Sequence, residues 1–482
     1  MRIAFLFLGP FLAALSFLFL PPGSRRTIRF ISLGACLFSL FNFVGLLASF
    51  NPNSGLQAIA VIPWLETWGF QLSLGYDGIS LPFLALTAIL SVVGVFYSSD
   101  IEKNLREYHI LYLLLVGGAY GLFLAQNLFF IFFFLELEVL TAYFLISIWG
   151  RPHSEKNAFQ FILFAALSGI LFLAFVGIVY FKTGAKSLEL DYLKDYFPNS
   201  NDSFRAVSLL LLSSLTILSA LFPFHAWGPL GYQAASRGVN TLLVGVIKKA
   251  GPYLFIRLAL ELFPTELRQF SGILITLCFV NILYVGWIAM AERDPKLMAG
   301  YSSSSHMGYI LLGILSFSTI GLTGALILSF AHGLSAALLF ATVGRVENQV
   351  GPFRFQQVAG IGKKAPFLHF IFTSAALASA GLPGFANFVG EILIFFALVK
   401  MGNIPLFLAI FGALLSVVYL LRAVKNIFHG TLVSEHEIQD EKPFSKLATI
   451  FVMASLLILG ILPLPFIHWI SPQVSKIIQA IP

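Results

Sequence analysis

Long apolar runs fill most of the chain, and their lengths predict helices that cross a membrane. A helix needs about 20 predominantly apolar residues to span the hydrocarbon core of a bilayer. About fourteen runs approach that length, near residues 3–21, 27–49, 78–98, 109–125, 127–149, 159–181, 206–222, 240–262, 270–290, 299–317, 319–343, 366–400, 404–427 and 447–471. The pattern predicts an all-α integral membrane protein with about 14 transmembrane helices.

The polar segments between the runs are short and predict loops rather than a soluble domain. The longest are 182–205 and 429–446. The first apolar run resembles a signal peptide, but it is long enough to span and is followed by the basic pair Arg25 and Arg26, so we predict a first membrane anchor. Because cytoplasmic loops carry an excess of Lys and Arg, the placement of the 29 basic residues predicts that both termini face outward.

Composition narrows the class of protein. The hydrophobic fraction is 58%, only 11% of the residues are charged and the mean hydropathy is +0.89, which excludes an ordinary water-soluble protein. The net charge of +7 follows from the basic loops, so we predict contact with membrane lipid and no nucleic-acid partner. Cys36 and Cys278 lie far apart in apolar runs and are predicted to be small core residues. Because the sequence has no phosphate-binding loop, metal-ligand spacing or nucleophile motif, we predict no cofactor in this chain.

Two of the predicted helices are interrupted by similar sequences that contain proline. The letters LSALFPFHAWGP occur at 218–229 and LASAGLPGFANFVGE at 377–391, and their prolines Pro223 and Pro383 are 160 residues apart. An odd number of predicted spans separates their starting points, so the two breaks enter the membrane from opposite sides, as in an inverted repeat. Paired broken helices at matching positions of two halves indicate the ion pathway of a transporter. The alternative is a pair of ordinary proline kinks.

Two acidic residues, Glu136 and Glu138, lie in the apolar segment IFFFLELEVL at 131–140. A charge near the centre of a spanning helix costs about 2.5–3.5 kcal/mol, so such a residue is kept where it faces the protein interior, finds a partner or takes up a proton. Residues two positions apart point about 200° apart on a helix. The two carboxylates therefore cannot share one face, and at most one of them faces a main pathway.

Among the other ionisable residues inside predicted spans, five are candidate site residues, namely Lys248, Lys249, His306, His332 and Glu391. Ionisable groups at membrane depth commonly mark proton relays, so these residues and the helix glutamates form a candidate chain of proton sites. For each histidine the alternative is a hydrogen bond to a neighbouring carbonyl. For Lys248 and Glu138 the alternative to a proton site is an ion pair, or extension of the charged group toward the membrane interface.

Seven segments, spread over nearly the whole chain, carry a specific combination of motifs: DGISLPFLALT, FFFLELEVLTAYFLISIWG, PFHAW, GVIKKAGPYLFIR, DPKLMAGYSSSSHMGYILLG, AHGLSAALLF and GLPGFANFVGEILIF. Together they resemble the antiporter-like subunits of respiratory complex I, NADH:quinone oxidoreductase, and most closely the M-type subunit, chain 4. The resemblance implies fourteen helices in which two inverted five-helix repeats contain broken helices 7 and 12. It divides the chain into 1–108 with the first three helices, repeats at 109–262 and 263–428, and a C-terminal loop and helix at 429–482.

The resemblance also assigns roles to individual residues. Glu136 matches the glutamate of the fifth helix, Lys249 the central lysine of the eighth, and Glu391 the glutamate of the twelfth at the proposed exit site. His306 and His332 match histidines taken to relay protons between two half-channels. The implied activity is proton translocation coupled to electron transfer in partner subunits, with no redox catalysis in this chain.

One position departs from the family pattern. The family places a lysine five residues before the proline of PFHAW, paired with the glutamate of the fifth helix, and here that position is Leu218. Glu138 occupies a position that is usually apolar in the family and is an extra acid. Because Lys248 stands beside Lys249 on the next helix, we hypothesise that it supplies the missing charge to Glu136.

The resemblance implies that other membrane subunits are the partners of this chain, and that NADH and quinone react only in partner subunits. It implies a multi-pass protein of the bacterial inner membrane. Two alternatives stay open. The superfamily includes subunits of multi-subunit cation/proton antiporters and of membrane-bound hydrogenases, and the missing lysine also allows a structural paralogue that does not pump.

Overall fold

The computed structural model of the chain describes residues 2–21, 23–65, 68–199, 204–431 and 438–481. Helices make up most of this part of the chain, as the apolar runs predict. The first three are α1 (Arg2–Ser16), α2 (Arg25–Ala48) and α3 (Leu81–Tyr97). Cys36 on α2 and the later Cys278 are both free and buried, as predicted for core residues.

The prediction of an all-α fold is wrong between α2 and α3, where the chain forms a β-hairpin. Strands β1 (Gln57–Leu65) and β2 (Phe70–Tyr76) pair antiparallel, with Val61 opposite Ser73. Side chains alternate between apolar and polar along much of β2, but the last four residues of the strand are all buried. Analysis of apolar runs missed the hairpin because each strand is far shorter than a membrane span.

The next part of the chain contains eight helices in the described residues. They are α4 (Leu105–Leu124), α5 (Leu128–Trp149), α6 (Glu155–Lys182), α7 (Leu190–Asn199), α8 (Arg205–Leu218), α9 (Trp227–Ala234), α10 (Arg237–Gly245) and α11 (Ala250–Leu254). A wider π-type turn continues α11 through Phe255–Leu260. Helix α7 corrects the prediction of a loop over 182–205, since its mixed polar and apolar sequence carries no signal of a membrane span.

The following helices are α12 (Pro264–Val280), α13 (Gly286–Ala291), α14 (Pro295–Leu315), α15 (Thr319–Val350), α16 (Pro366–Ser379), α17 (Ala386–Val399), α18 (Asn403–Phe428), α19 (Pro443–Ile461) and α20 (Leu464–Gln479). The span predicted at 447–471 is two helices rather than one. Pro463 lies between them and Pro465 lies in the first turn of α20, and proline cannot donate the backbone hydrogen bond that continues a helix.

Within the described residues, eight helical segments are long and apolar enough to cross a membrane: Arg25–Ala48, Leu105–Leu124, Leu128–Trp149, Glu155–Lys182, Pro264–Ala291, Thr319–Val350, Asn403–Phe428 and Pro443–Ile461. Shorter apolar helices include Leu81–Tyr97, Arg205–Leu218, Pro366–Ser379 and Ala386–Val399. The prediction of a membrane-integral helical protein is confirmed.

Helix α15 forms the centre of the molecule. The apolar stretch of this helix is buried along its whole length, and the helix contacts α3, α10, α14, α16, α17, α19 and α20. Helices α2, α6 and α18 instead expose large apolar side chains, as expected of surfaces that face lipid. Polar groups within the apolar stretch of α15, such as His332, are therefore shielded from both lipid and water.

Both predicted helix breaks are present. Helix α8 ends at Leu218 and α9 begins at Trp227, while α16 ends at Ser379 and α17 begins at Ala386. The last carbonyl groups of a helix have no partner within the helix itself, so each break leaves backbone acceptors inside the protein. The two breaks thus provide polar backbone at membrane depth.

Candidate functional site

Glu391 and His306 meet beside the second helix break. Glu391 lies on α17 and His306 on α14, and His306 Nε2 is 3.8 Å from Glu391 Oε1. The same nitrogen is 2.9 Å from the carbonyl oxygen of Ser379, the last residue of α16. All three residues are buried. The break therefore gives the histidine an acceptor that a continuous helix would have used itself.

Both ring nitrogens of His306 face oxygen atoms. Nδ1 is 2.8 Å from the carbonyl oxygen of Ser302, one helical turn earlier. A neutral imidazole has a single N–H, so the ring can donate to the carbonyls of Ser302 and Ser379 together only when it carries both protons. Glu391 then supplies the compensating negative charge. This arrangement suits a residue that alternately holds and releases a proton.

The second histidine, His332 on α15, lies parallel to the first. The ring centroids of His306 and His332 are 4.9 Å apart and the rings are inclined by 8°. On its other side, His332 Nε2 is 3.0 Å from the hydroxyl oxygen of Ser303 on α14. Stacking thus holds the ring in place while the Nε2 atom contacts a group that can both donate and accept a hydrogen bond.

The two adjacent lysines lie in a tight turn, Ile247–Lys249, that interrupts the helix between α10 and α11. Pro252 explains the interruption, because its ring has no N–H and clashes with the carbonyl of Lys248, four residues earlier. Lys248 Nζ donates to the hydroxyls of Ser303 at 3.2 Å and Ser304 at 3.0 Å. Among the described residues, Lys249 Nζ is buried and has no hydrogen-bond partner.

Glu136 and Glu138 point to different neighbours of α5, as their spacing predicts. Glu136 faces Gly169 on α6, and a Cβ atom on that glycine would overlap the carboxylate. Glu138 is fully buried against α4, where a Cβ on Gly118 would lie 3.2 Å from its Cγ. In the described part of the chain, neither carboxylate oxygen of Glu138 has a hydrogen-bond partner.

A small cavity of about 20 Å³ lies where the family pattern has its missing lysine. Leu135, Leu218, Tyr232 and Lys248 are among the residues that line it, and the wall is almost entirely apolar. A volume of this size admits about one water molecule. Lys248 borders the cavity but directs its ammonium group toward α14, so the hypothesis that it supplies a charge to Glu136 is not supported by its hydrogen bonds.

Charged residues also form a cluster at one end of the bundle. Arg151 lies 2.6 Å from Asp294 and contacts Glu347, and Lys296 lies 3.0 Å from Glu347. Burial by itself raises the pKa of Asp294, but its hydrogen bond and ion pair with Arg151 hold that pKa below the ordinary value. Asp294 also caps α14 by accepting from two backbone N–H groups, so the cluster fixes the start of the helix that carries His306.

The structure brings together four of the seven residues predicted from the sequence: Lys248, His306, His332 and Glu391. Glu136 and Glu138 lie on either side of α5, and Lys249 contacts none of the four through a hydrogen bond in the described residues. Sequence reasoning missed Ser303, which joins Lys248 to His332. The signal was present as four consecutive serines before His306 in an otherwise apolar helix.

Metal ligation finds no support in the described residues, since they contain no cluster of three or more His, Cys, Asp or Glu side chains that could hold an ion. Lysine, serine, histidine and glutamate can each donate or accept a proton.

Comparison with known sequences places the chain among membrane subunits of oxidoreductases and antiporters. The family profile described as NADH:quinone oxidoreductase/Mrp antiporter, TM matches residues 125–416. NAD(P)H-quinone oxidoreductase chain 4 of Gloeobacter violaceus is 31% identical over 469 residues, which cover 93% of this chain and 86% of the relative. NAD(P)H-quinone oxidoreductase chain 4 1 of Synechococcus elongatus is 32% identical over 472 residues, 94% of this chain and 87% of the relative.

Solved structures share the fold. A chain of respiratory complex I from Thermus thermophilus matches with a TM-score of 0.90 at 26% identity, over 100% of both chains. A chain of the Mrp complex from Dietzia sp. matches with a TM-score of 0.88 at 20% identity, over 100% of this chain and 99% of that chain, and this likeness is one of fold alone. Since the profile covers both broken helices and the relatives match along almost the whole sequence, the chain belongs to the family of membrane subunits shared by NADH:quinone oxidoreductase and Mrp antiporters.

Proposed function

We propose that this chain is a proton-translocating membrane subunit of a complex-I-type NADH:quinone oxidoreductase. One observation carries the proposal: buried titratable groups lie in a row, in which Ser303 joins Lys248 to His332 by hydrogen bonds, His306 stacks on His332, and Glu391 lies 3.8 Å from His306. The chain 4 relatives support this choice of complex. NADH oxidation and quinone reduction take place in partner subunits, and this chain itself carries no cofactor.

The proposed architecture has fourteen spans and two inverted five-helix repeats, at 109–262 and 263–428. Residues 1–108 precede the repeats, and 429–482 follow them. The positions of the two breaks, in α8–α9 and α16–α17, support this division. The basic loops favour termini that face outward, and the cyanobacterial relatives favour a bacterial membrane as the location.

In this proposal each half of the chain provides one half-channel. Glu136 takes up a proton in the first half, Lys249 stands between the halves, and Glu391 releases the proton in the second. His306 and His332 carry it between them. Glu138 and Lys248 are additional groups that the family pattern does not supply, and neither carboxylate oxygen of Glu138 has a hydrogen-bond partner in the described residues.

Two other functions stay possible on specific observations. The family profile, whose description includes the Mrp antiporter, supports a subunit of a cation/proton antiporter, which would work without NADH and depend on a second cation. The apolar cavity beside Leu218 supports a structural subunit that no longer pumps. Leu218 stands where the family has the lysine that pairs with the glutamate at position 136, and the space beside it is lined almost entirely by apolar groups.

NADH-driven proton pumping by the assembled complex in sealed vesicles tests the proposal. We expect Glu391→Gln and Glu136→Gln each to lower the number of protons moved per quinone reduced, because glutamine cannot exchange a proton. Glu155→Gln, at an exposed position in the first turn of α6, is the matched control. Subunit content is measured in every variant, so that a loss of pumping is not a loss of assembly.

The two variants separate the candidate functions. A wild-type ratio of protons to quinone in both would contradict pumping by this chain and favour the structural role. Loss of pumping with Glu391→Gln alone would mean that only the second half-channel works. Proton movement that requires sodium and continues without NADH would favour the antiporter.

A further inference from the structure

Two lysines stand side by side at the centre of the molecule, and only one of them is connected to the histidine pair. We propose that Lys248 and Ser303 form the bridge that exchanges protons with His332, so that Lys248, and not Lys249, is the direct partner of the histidines. This inference rests on the proposed function, because it names the step that joins the two halves of the pathway.

The bridge is continuous at hydrogen-bond distance. Lys248 Nζ lies 3.2 Å from Ser303 Oγ, and Ser303 Oγ lies 3.0 Å from His332 Nε2. Among the described residues, the ammonium of Lys249 and the Nδ1 atom of His332 have no hydrogen-bond partner. The hydroxyl of Ser303 is therefore the group through which a lysine reaches the ring.

The donor and acceptor capacity of each group fixes the direction of the hydrogen bonds. A lysine ammonium only donates, so Ser303 Oγ accepts from Lys248. The single hydroxyl proton of Ser303 is then free to point at His332 Nε2, whose lone pair is available when the neutral ring carries its proton on Nδ1. In this arrangement a proton can pass from Lys248 to His332 through Ser303. The return transfer uses the same hydrogen bonds with donors and acceptors exchanged.

In the proposed step, Lys248 gives one proton to Ser303 Oγ while the original hydroxyl proton of Ser303 passes to His332 Nε2. Serine begins and ends as a neutral hydroxyl. Lys248 becomes a neutral amine and His332 becomes an imidazolium, so charge and atoms balance. The step ends at the His332 imidazolium, on which the ring of His306 is stacked, with Glu391 beyond it.

The surroundings separate the bridge from bulk water. Lys248, Ser303 and His332 are all at most 2% exposed. The ring of Tyr232 lies 5.1 Å from Lys248 Nζ, where an aromatic face stabilises a positive charge without accepting its proton. On the far side of Lys248, the small cavity beside Leu218 separates the lysine from α5.

Adjacent serines provide a matched test. Ser303→Ala removes the hydroxyl that contacts both Lys248 and His332, whereas Ser304→Ala removes a hydroxyl that contacts Lys248 but has no bond to the ring. We measure protons moved per quinone reduced by the assembled complex in vesicles. We expect Ser303→Ala to lower this ratio to the level of Glu391→Gln and Ser304→Ala to keep most of it.

Two further variants test the bridge as a unit. Ser303→Thr keeps a hydroxyl and is expected to retain pumping. Lys248→Leu is expected to match Ser303→Ala, and the double variant is expected to be no worse than either single change, because both residues serve one step. Rates of quinone reduction and subunit content establish that each variant is assembled.

The outcomes distinguish this inference from the function on which it rests. A wild-type ratio in Ser303→Ala, or equal losses in Ser303→Ala and Ser304→Ala, would overturn the bridge. If Glu391→Gln lowers the ratio while Ser303→Ala does not, the bridge alone is wrong. If Glu391→Gln also pumps at the wild-type ratio, the proposed function of the chain is wrong as well.

Discussion

Gly169 on α6 makes room for the carboxylate of Glu136, because a Cβ atom at this position would overlap it. We expect Gly169→Ala to displace the carboxylate and to lower proton pumping as Glu136→Gln does. Gly177→Ala on the same helix is the control, since a Cβ there meets no atom within 4 Å. Both changes alter helix propensity in the same way, so a difference in pumping between the two variants reports the displacement of the Glu136 side chain. Equal pumping by the two variants would contradict a role for Glu136.

At the scale of the residue, the sequence predicted the direction in which a side chain points from its helix better than the residues that the side chain contacts. The opposite orientations of Glu136 and Glu138 follow from helix geometry alone, and the structure places them on different sides of α5. The choice between Lys248 and Lys249 could not be predicted, because it depends on which one faces the serines of another helix. Ser303 was missed for the same reason, since its contacts join residues far apart in sequence.

The second helix break offers a prediction at the scale of the element. Gly381 has a φ of +72° and a Cβ there would overlap the carboxylate of Glu391, while Gly384 has a φ of +100° and a Cβ there would meet no atom within 4 Å. Alanine is strained at both positions, by about 1–2 kcal/mol. We therefore expect Gly381→Ala and Gly384→Ala to lower the unfolding temperature in detergent to a similar extent.

Pumping separates these two variants. Only Gly381→Ala moves the Glu391 side chain, so we expect it to lower the number of protons moved per quinone, while Gly384→Ala retains it. The measurement uses the assembled complex in vesicles. Retention of pumping by Gly381→Ala, with the strained turn intact, would mean that the position of Glu391 at the break has no bearing on transport.

Elements were predicted well where an apolar run is long and less well elsewhere. The breaks at Pro223 and Pro383 were visible because proline removes a helical hydrogen bond wherever it stands. The hairpin of β1 and β2 was missed, because the analysis sought only runs of membrane length. The turn at Ile247–Lys249 was also missed, although Pro252 gives a local reason for it.

At the scale of the whole molecule, a buried ion pair ties the first half of the chain to its C-terminal segment. Arg237 at the start of α10 contacts Glu441, and both side chains are almost fully buried. Removing one partner of a buried pair leaves an uncompensated charge and costs about 3–5 kcal/mol. We expect Glu441→Gln to destabilise the protein to that extent, measured by thermal unfolding in detergent.

The control for this pair is Glu102→Gln. Glu102 lies 3.8 Å from Arg25 and both side chains are largely exposed, so the pair contributes about 0–1 kcal/mol. The two substitutions make the same chemical change. Similar unfolding temperatures for Glu441→Gln and Glu102→Gln would show that the buried pair does not hold the two parts of the chain together.

The sequence by itself determined that this chain is a helical membrane protein with two broken helices and ionisable groups at membrane depth. These features depend on local properties, namely the length of apolar runs, the missing N–H of proline and the cost of placing charge in a bilayer. Only the tertiary structure decided that Ser303 joins Lys248 to His332, that the carbonyl of Ser379 meets His306, and that Glu136 and Glu138 face different helices. Such contacts depend on how separate helices pack, and neither residue of a pair carries that information alone.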